Sequence, residues 1–263
     1  MGRPPSADES LEFSHHLADY ARSLALDHFR TRFKISHKAD KSVVTVADRH
    51  IESELRSLIR ERFPDHGIIG EEYGGTTREC SWILDPIDGT ASFVLGNPLF
   101  GTLIGSLRSQ QPFTGLIEMP VMRERWTGDG KRALFYDSFG SHGVSVSDCK
   151  MLQHARLYIQ IPDFLRSGHA SRLYRLQKHV AASHSSCDCY AYGLLASGHC
   201  DLVIEDGLEP CDYLPIVPVI LGAGGFMSDW DGNPLDLNSG KAVVAAATQA
   251  LLHEAIRALK SFR

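Results

Sequence analysis

The stretch that decides the fold is Trp82-Ile83-Leu84-Asp85-Pro86-Ile87-Asp88-Gly89-Thr90-Ala91-Ser92-Phe93. Its first three residues are apolar and suit a buried strand. Pro86 fixes its own φ and Gly89 permits backbone angles that other residues avoid, so the chain is expected to turn sharply here. A helix could begin at Thr90, which makes the stretch a strand, a turn and a helix start.

Two carboxylates, Asp85 and Asp88, lie on that predicted turn. Carboxylates crowded at a strand end repel one another, so a hard divalent cation with oxygen ligands is the natural partner. The amides of Gly89, Thr90 and Ala91 would open the following helix and suit a phosphate. Metal beside phosphate indicates metal-assisted phosphoryl chemistry. The alternative is an Asp-Pro turn in which Asp88 only caps a helix.

The composition excludes several classes of protein. The chain has 263 residues, of which 43% are hydrophobic and 22% charged, which fits one large globular unit or two closely associated halves. A net charge of -5 gives no support for nucleic-acid binding. No apolar run is long enough to span a bilayer. The six cysteines lack zinc-site spacing and are expected to be reduced and buried, in a reducing compartment.

The pattern along the chain indicates layers of helix and sheet. Residues 1–10 are polar and read as a flexible N-terminal tail, and residues 11–263 as the folded unit. Within that unit we expect an N-terminal α+β half at about 11–150 and a C-terminal α/β half at about 151–263. The individual elements predicted include helices over 11–33, 51–63, 165–179, 190–198, 213–221 and 248–259, and a strand-rich meander over 100–130.

Two further acidic positions have open interpretations. Asp48 opens the second predicted helix, where its ordinary role is a helix cap. Glu71 and Glu72 end a short apolar strand, and adjacent strand residues face opposite sides, so one of them can point inward. An inward Glu71 would add a third carboxylate to Asp85 and Asp88, whereas a solvated surface pair is the simpler alternative.

Several separated motifs resemble the inositol monophosphatase family when taken together. They are Gly70-Glu71-Glu72, then Asp85-Pro86-Ile87-Asp88-Gly89-Thr90, then Asp212 followed by Gly222-Ala223-Gly224-Gly225. Further stretches are similar to the histidinol-phosphate phosphatase branch of that family; they are Gly96 to Ile104, Arg123 to Trp126, Cys187 to Tyr192 and Leu195 to Gly198.

The resemblance implies a layered αβαβα fold of the α+β class and a site with two or three Mg²⁺ ions. A first ion would be held by Glu71, Asp85, the backbone carbonyl of Ile87, and Thr90. A second would be held by Asp85, Asp88 and Asp212, with Asp85 bridging, and a weaker third would lie near Glu71. The resemblance also implies a homodimer.

The same resemblance assigns catalytic and binding roles. Glu71, Thr90 and Asp48 are the catalytic residues, the last two as a hydrogen-bonded pair that positions or deprotonates a metal-bound water. The substrate-binding residues are of two kinds. The phosphate would bind to the backbone amides of a turn that we call the phosphate turn, formed by Gly89, Thr90 and Ala91. Acidic side chains would surround the leaving alcohol, namely Asp188, Glu205 and Asp212. Asp188 is the first choice for the ammonium of histidinol, while Glu205 is either a substrate contact or a structural anchor.

Three places depart from the branch. Ser186 stands where glycine is usual, Leu221 stands where an acidic residue is usual, and the poorly matching segment 135–142 is expected to be a variable surface loop. These departures bear on which substrate the protein acts on. They do not affect the assignment as a hydrolase.

The functional hypothesis is a Mg²⁺-dependent phosphomonoesterase that cleaves L-histidinol phosphate in histidine biosynthesis. One alternative is an inositol-1-monophosphatase or broad small-molecule phosphatase, and a second is a catalytically silent protein that binds phosphates or a partner. The expected partner is a small phosphorylated substrate, with neither nucleic acid nor membrane. The expected compartment is the cytoplasm, or an organelle stroma if a transit segment has been removed.

Overall fold

The computed structural model describes residues 3–31, 35–37, 43–159, 170–185 and 187–261. Ser186 and most of the first half of the helix predicted over 165–179 lie outside these residues. None of the helices within the described ranges has the length and apolar character needed to cross a lipid bilayer. All six cysteines are free thiols, four of them buried, as the sequence predicts.

A large mixed sheet carries the first half of the site. In the described residues its spatial order is β10-β9-β8-β7-β6-β5-β3-β4, and only β3 and β5 pair in parallel. The strands are β3 (Gly67–Gly70), β4 (Gly74–Thr76), β5 (Cys80–Asp88), β6 (Gly101–Arg108), β7 (Gln111–Met119), β8 (Glu124–Gly128), β9 (Ala133–Asp137) and β10 (Gly140–Gly143). A separate antiparallel pair joins β1 (Ile35–His37) to β2 (Val43–Thr45).

A second sheet of five described strands has the order β12-β11-β13-β15-β14. Its strands are β11 (Arg156–Ile159), β12 (Ala182–Ser185), β13 (Leu202–Glu205), β14 (Phe226–Asp229) and β15 (Val243–Ala246). β11 pairs in parallel with both of its neighbours, whereas β15 is antiparallel to β13 and β14.

Helices separate and cover the two sheets. They are α1 (Ala7–His28), α2 (Val46–Arg62), α3 (Thr90–Val94), α4 (Ala170–Gln177), α5 (Tyr190–Ala196), α6 (Pro210–Tyr213), α7 (Val217–Gly222) and α8 (Gln249–Ser261), with a 3₁₀ turn at Leu152–His154. α1 and α2 pack on the large sheet, α5 to α7 lie between the sheets, and α4 and α8 pack against the small sheet. This is the layered α+β arrangement that the resemblance implies.

The side chains of β5 show why the layers form. Trp82 and Leu84 belong to the core beneath α1 and α2, while Ile83 belongs to the core of the middle layer. Since successive residues of a strand face opposite sides, one buried apolar run supplies two cores.

Three glycines let the middle layer approach the large sheet closely. Gly105, Gly115 and Gly128 are cross-strand partners on β6, β7 and β8. A Cβ on Gly115 would lie 1.8 Å from the Pro215 carbonyl oxygen, and one on Gly128 would lie 2.4 Å from the Pro218 carbonyl oxygen. The row therefore forms a groove for the chain that leads from α6 into the first turn of α7, which we call the glycine groove.

The first helix begins at Ala7 rather than at Leu11. The Glu9 N–H donates to Ser6 Oγ at 3.2 Å, and the Ser6 N–H donates to the Glu9 carboxylate at 2.7 Å. This reciprocal capping box stabilises an earlier start. The prediction of a loose tail over 1–10 is therefore wrong for residues 7–10. The helix also ends earlier than predicted, at His28.

Two other predictions need correction. The segment 135–142, predicted as a loop, lies in the hairpin of β9 and β10, where Phe135 packs on Trp126 with ring centroids 4.8 Å apart. The single helix predicted over 213–221 is instead the two short helices α6 and α7. Pro210 and Pro218 each stand in the first turn of one of them, the position where proline is tolerated.

Candidate active site

The turn after β5 has the backbone features predicted for it. The pairing of β5 with β6 shifts register between Asp85 and Asp88, and the Ile87 N–H donates to Asp85 Oδ1 at 3.0 Å. Gly89 has φ 77°, a left-handed value, and precedes α3. The irregular strand end therefore places both aspartates within one short bend.

The two carboxylates of this bend meet a third from a distant part of the chain. One oxygen from each of Asp85, Asp88 and Asp212 lies within 4.8 Å of the other two. Asp85 is 2% exposed, and the other two are half-buried. Asp212 is brought in by α6, where its Oδ2 accepts the Glu209 N–H at 2.8 Å. The predicted convergence of these three residues is thus present in the structure.

Glu71 is the inward-facing member of the glutamate pair. Its carboxyl is within hydrogen-bond reach of Asp85, and its backbone N–H donates to the Leu84 carbonyl at 3.2 Å. Glu72 is also largely shielded, with a side chain 2% exposed that lies 3.8 Å from Arg49 Nε. The alternative of a solvated surface pair is therefore wrong.

Electrostatics at the cluster favour a bound cation. Burial and then the charge of Glu71 raise the pKa of Asp85 well above its usual range. Burial and then Asp188 raise the pKa of Asp88 to about 7, and burial followed by Glu71 and Asp88 raises the pKa of Asp212. A cation among these groups would remove the repulsion, and carboxylate oxygens are the donors that Mg²⁺ prefers. The donor set therefore fits Mg²⁺.

Thr90 connects the turn to α2. Its Oγ1 lies 3.3 Å from Asp48 Oδ1 and 3.0 Å from the Ile87 carbonyl oxygen. Asp48 is fully buried and sits in the third position of α2 rather than before it. Asp48 therefore lies within the first turn of α2 and also contacts Thr90. Asp88 does not cap α3, since its Oδ2 accepts the Cys189 N–H at 2.7 Å.

Asp188 lies against the same turn. A Cβ on Gly89 would be 2.6 Å from Asp188 Cγ, so glycine is required there for close approach as well as for its backbone angle. Asp188 itself has a left-handed φ of 44°, and Ser92 Oγ donates to its Oδ2 at 2.6 Å. An unusual backbone angle and a short hydrogen bond thus hold one more carboxylate beside the cluster.

Glu205 stands behind this group, at the end of β13. It is 5% exposed and accepts the Tyr192 hydroxyl at 2.7 Å. Its pKa is raised well above the usual range by burial, opposed by the Tyr192 hydrogen bond, and raised further by the charges of Asp88 and Asp188. The hydrogen bond from Tyr192 supports the anchoring alternative. Glu205 is also near enough to Asp88 and Asp188 to be affected by their charges.

Sequence reasoning missed the residues that hold these acids in place. Ser92 donates a hydrogen bond to Asp188, and Tyr192 donates one to Glu205. The backbone N–H of Cys189 donates one to Asp88. Each is a contact between residues far apart in the chain or across a turn, and only Ser92 lies inside the stretch quoted at the outset. Leu221, one of the departures, is 41% exposed on α7. Nothing in the structure explains that substitution.

Comparison with known proteins places this geometry in a family. The model of the inositol monophosphatase family matches residues 6–261. The chain is 43% identical over 237 residues to the bifunctional phosphatase IMPL2, chloroplastic, of Arabidopsis thaliana, covering 88% of this chain and 67% of that protein. It is 34% identical over 250 residues to a histidinol-phosphatase of Mycobacterium tuberculosis, covering 91% and 93%.

A solved structure of a relative has the same fold. An inositol monophosphatase from Zymomonas mobilis superposes with a TM-score of 0.86 at 33% identity, covering 98% of this chain and 100% of that one. The motifs, the layered fold and the acidic cluster all agree with these matches. The chain belongs to the inositol monophosphatase family, whose enzymes are Mg²⁺-dependent phosphoric monoester hydrolases.

Proposed function

We propose that this enzyme hydrolyses L-histidinol phosphate to L-histidinol and phosphate. The observation that carries the choice of substrate is Asp188, a carboxylate held beside the phosphate turn by Ser92. Histidinol carries an ammonium and an imidazole, for which a fixed carboxylate is a favourable partner, whereas inositol offers only uncharged hydroxyls. The identity to a histidinol-phosphatase supports the same choice.

For the metal site we propose the ligands that the resemblance implies. Glu71, Asp85, the Ile87 carbonyl and Thr90 hold one Mg²⁺; Asp85, Asp88 and Asp212 hold another; a weaker third lies near Glu71. Thr90 Oγ1 and the Ile87 carbonyl oxygen lie 3.0 Å apart. They offer two uncharged oxygen ligands to the metal beside the carboxylates. When bound, Mg²⁺ lowers the pKa of water and offsets charge on phosphoryl oxygens.

The chain's own groups then bind and orient the reactants. The backbone N–H groups of Gly89, Thr90 and Ala91 bind phosphate oxygens, because the first amides of a helix have no partner within it. The Thr90 hydroxyl can pass its own proton to the buried Asp48 carboxylate. Thr90 Oγ1 can then accept a proton in exchange. No side-chain nucleophile is needed in this scheme. Glu205 and Asp212 complete the acidic wall around the leaving alcohol.

The test compares two substrates with purified protein in Mg²⁺. Phosphate release is measured from L-histidinol phosphate and from myo-inositol 1-phosphate. We expect the larger kcat/KM for L-histidinol phosphate. Faster release from the inositol compound would replace the proposed substrate with the alternative that the Zymomonas mobilis relative represents, and no release from either would favour the catalytically silent alternative.

A variant makes the substrate assignment sharper. Asp188→Asn removes the charge but keeps a side chain of the same shape on Ser92. It should lower kcat/KM for L-histidinol phosphate by roughly 10- to 150-fold, the worth of a hydrogen bond to a charged group. The effect on the inositol compound should be small. Equal losses on both substrates would mean that Asp188 serves the turn and not the substrate.

A homodimer is part of the proposal, and sedimentation of the purified protein tests it. The proposed compartment is the cytoplasm or an organelle stroma, and the chloroplastic relative supports the second of these.

A further inference from the structure

A buried carboxylate that is not one of the proposed metal ligands lies under residues 71–74, which we call the Glu71 loop. Glu52 is on α2 and is completely buried. Its Oε2 accepts the Glu72 N–H at 2.7 Å, and its Oε1 accepts the Tyr73 N–H at 3.3 Å and Arg56 Nε at 2.7 Å. One side chain therefore binds two consecutive amides of the loop that follows β3.

These contacts leave Glu71 fixed on both sides. Gly70, immediately before it, packs so closely on Glu52 that a Cβ there would lie 2.0 Å from Oε1. Glu72, immediately after it, donates its N–H to the same carboxylate. Glu71 itself is tied through its own N–H to Leu84, the residue before Asp85. The backbone that carries the Glu71 carboxyl toward Asp85 is thus set by Glu52 and by β5.

Arg56 completes the arrangement. It is 7% exposed, pairs with Glu52 one helical turn away, and also donates from Nη2 to the Gly74 carbonyl. Its guanidinium compensates the buried charge of Glu52, as a buried carboxylate requires. Arg56 therefore contacts the far end of the loop at Gly74, whereas Glu52 holds the two amides that directly follow Glu71.

The position on α2 adds a second link. Asp48 and Glu52 are one turn apart on this helix and both are fully buried. Side chains four apart lie on the same helix face. Asp48 contacts Thr90, while Glu52 holds the Glu71 loop. A single rigid helix therefore sets two groups of the site relative to each other.

We propose that Glu52 is a positioning residue that holds Glu71 in place for Mg²⁺ binding, acting through the backbone of the Glu71 loop. The inference rests on the proposed metal site and adds to it a residue that touches neither metal nor substrate. Outer partners that orient a metal ligand affect affinity by about 10- to 100-fold.

The experiment measures Mg²⁺ binding directly by isothermal titration calorimetry of the metal-free protein, with phosphate release as a second readout. Glu52→Gln keeps the size of the side chain but replaces one acceptor oxygen with a donor, so one loop amide loses its partner. We expect a Mg²⁺ dissociation constant raised by about 10- to 100-fold. Because the ligands themselves are intact, kcat should recover toward the wild-type value at saturating Mg²⁺.

A second variant moves Glu52 without removing it. Gly70→Ala inserts a methyl group against Glu52 Oε1, and Gly70 has no left-handed backbone angle that would strain an alanine. It should weaken Mg²⁺ binding in the same direction as Glu52→Gln. This variant keeps the test decisive should Glu52→Gln fail to fold.

The matched control is Arg56→Gln. It breaks the same buried ion pair, and so lowers stability in urea, but leaves the Glu72 and Tyr73 amides on Glu52. Its Mg²⁺ dissociation constant should stay within about threefold of the wild type, well below the range expected for a lost ligand-orienting contact.

A Glu52→Gln or Gly70→Ala protein that is destabilised in urea yet binds Mg²⁺ within threefold of the wild type would overturn the inference and make Glu52 a structural residue only. A kcat that stays low at saturating Mg²⁺ would overturn it as well. A wild-type protein that takes up no Mg²⁺ would instead refute the proposed metal site, so the two failures are distinguishable.

Discussion

Gly115 lies on β7 beneath the chain that joins α6 to α7, and its substitution by alanine tests how the fold delivers Asp212 to the cluster. The new Cβ would meet the Pro215 carbonyl oxygen at 1.8 Å, the Pro215 carbonyl carbon at 2.9 Å and Pro218 Cδ at 3.2 Å. To restore a contact of about 3.5 Å, the Pro215 carbonyl has to withdraw by about 1.7 Å. Backbone atoms cannot move aside as the end of a side chain can.

The energetic cost follows from that displacement. Overpacking a core costs about 1–3 kcal/mol, and a clash with backbone belongs at the upper end. A loss of about 3 kcal/mol lowers Tm by roughly 6–12 °C in a chain of this size. Asp212 lies three residues before Pro215, so activity should fall as well. A displacement of about 1 Å at a reacting group can reduce the rate by about 100-fold.

The assay is urea unfolding together with phosphate release, both in Mg²⁺. Gly143→Ala is the matched control, because a Cβ there meets nothing within 4 Å and the backbone angle is not left-handed. It should be neutral or stabilising by up to about 1 kcal/mol. A Gly115→Ala protein as stable and as active as Gly143→Ala would refute the idea that the glycine groove sets the position of Asp212.

Three other outcomes are expected. Ser92→Ala removes one hydrogen bond from Asp188, so KM for L-histidinol phosphate should rise by about 3- to 10-fold with a smaller change in kcat, the worth of one hydrogen bond; an unchanged KM contradicts this, and Ser109→Ala on the surface is the control. Burial and then the charge of Arg125 lower the pKa of His15 to about 4, so the folded state favours the neutral ring. Stability from this source is complete above about pH 6.5 and falls as the pH drops toward 4; the urea midpoint of His15→Gln should therefore decline less between pH 7 and 4.5, and an identical decline would count against the argument. Mg²⁺ at 100 times its dissociation constant should stabilise the wild type by about 2.7 kcal/mol, and Asp85→Asn should abolish both this thermal shift and phosphate release; a retained shift would mean that the ion binds elsewhere.

The sequence anticipated the acidic cluster better than the contacts that support it. Asp85 and Asp88 share one short stretch, and their crowding alone calls for a cation, so local chemistry was sufficient. Glu71 and Asp212 needed the family pattern, because the separation of about 140 residues between them carries no periodic signal. Asp48 was placed at a helix start, which is right, but its contact with Thr90 depends on how α2 packs on β5.

The misplaced elements have local or tertiary causes. Ser6 and Glu9 have the spacing of a capping box, so the earlier start of α1 was readable from the chain. The hairpin of β9 and β10 was not readable, because its stability depends on pairing with β8 and on the Trp126 ring. In the same way Ser92 and Tyr192 acquire their roles only through partners brought close by the fold.

The cluster also explains why the middle layer must be held so firmly. Asp212 comes from α6, which belongs to the layer between the sheets, while Asp85 ends a strand of the large sheet. Burial and then the charge of Glu71 raise the pKa of both carboxyls, so holding the two layers together here brings acidic groups close that repel one another when ionised. Packing at the glycine groove opposes this repulsion from beneath, and the Glu209 amide that binds Asp212 partly offsets its charge. The fold therefore brings acidic groups together where a Mg²⁺ ion would offset their charge, and we expect the affinity for that ion to depend on how rigidly α2, β5 and α6 hold their carboxylates.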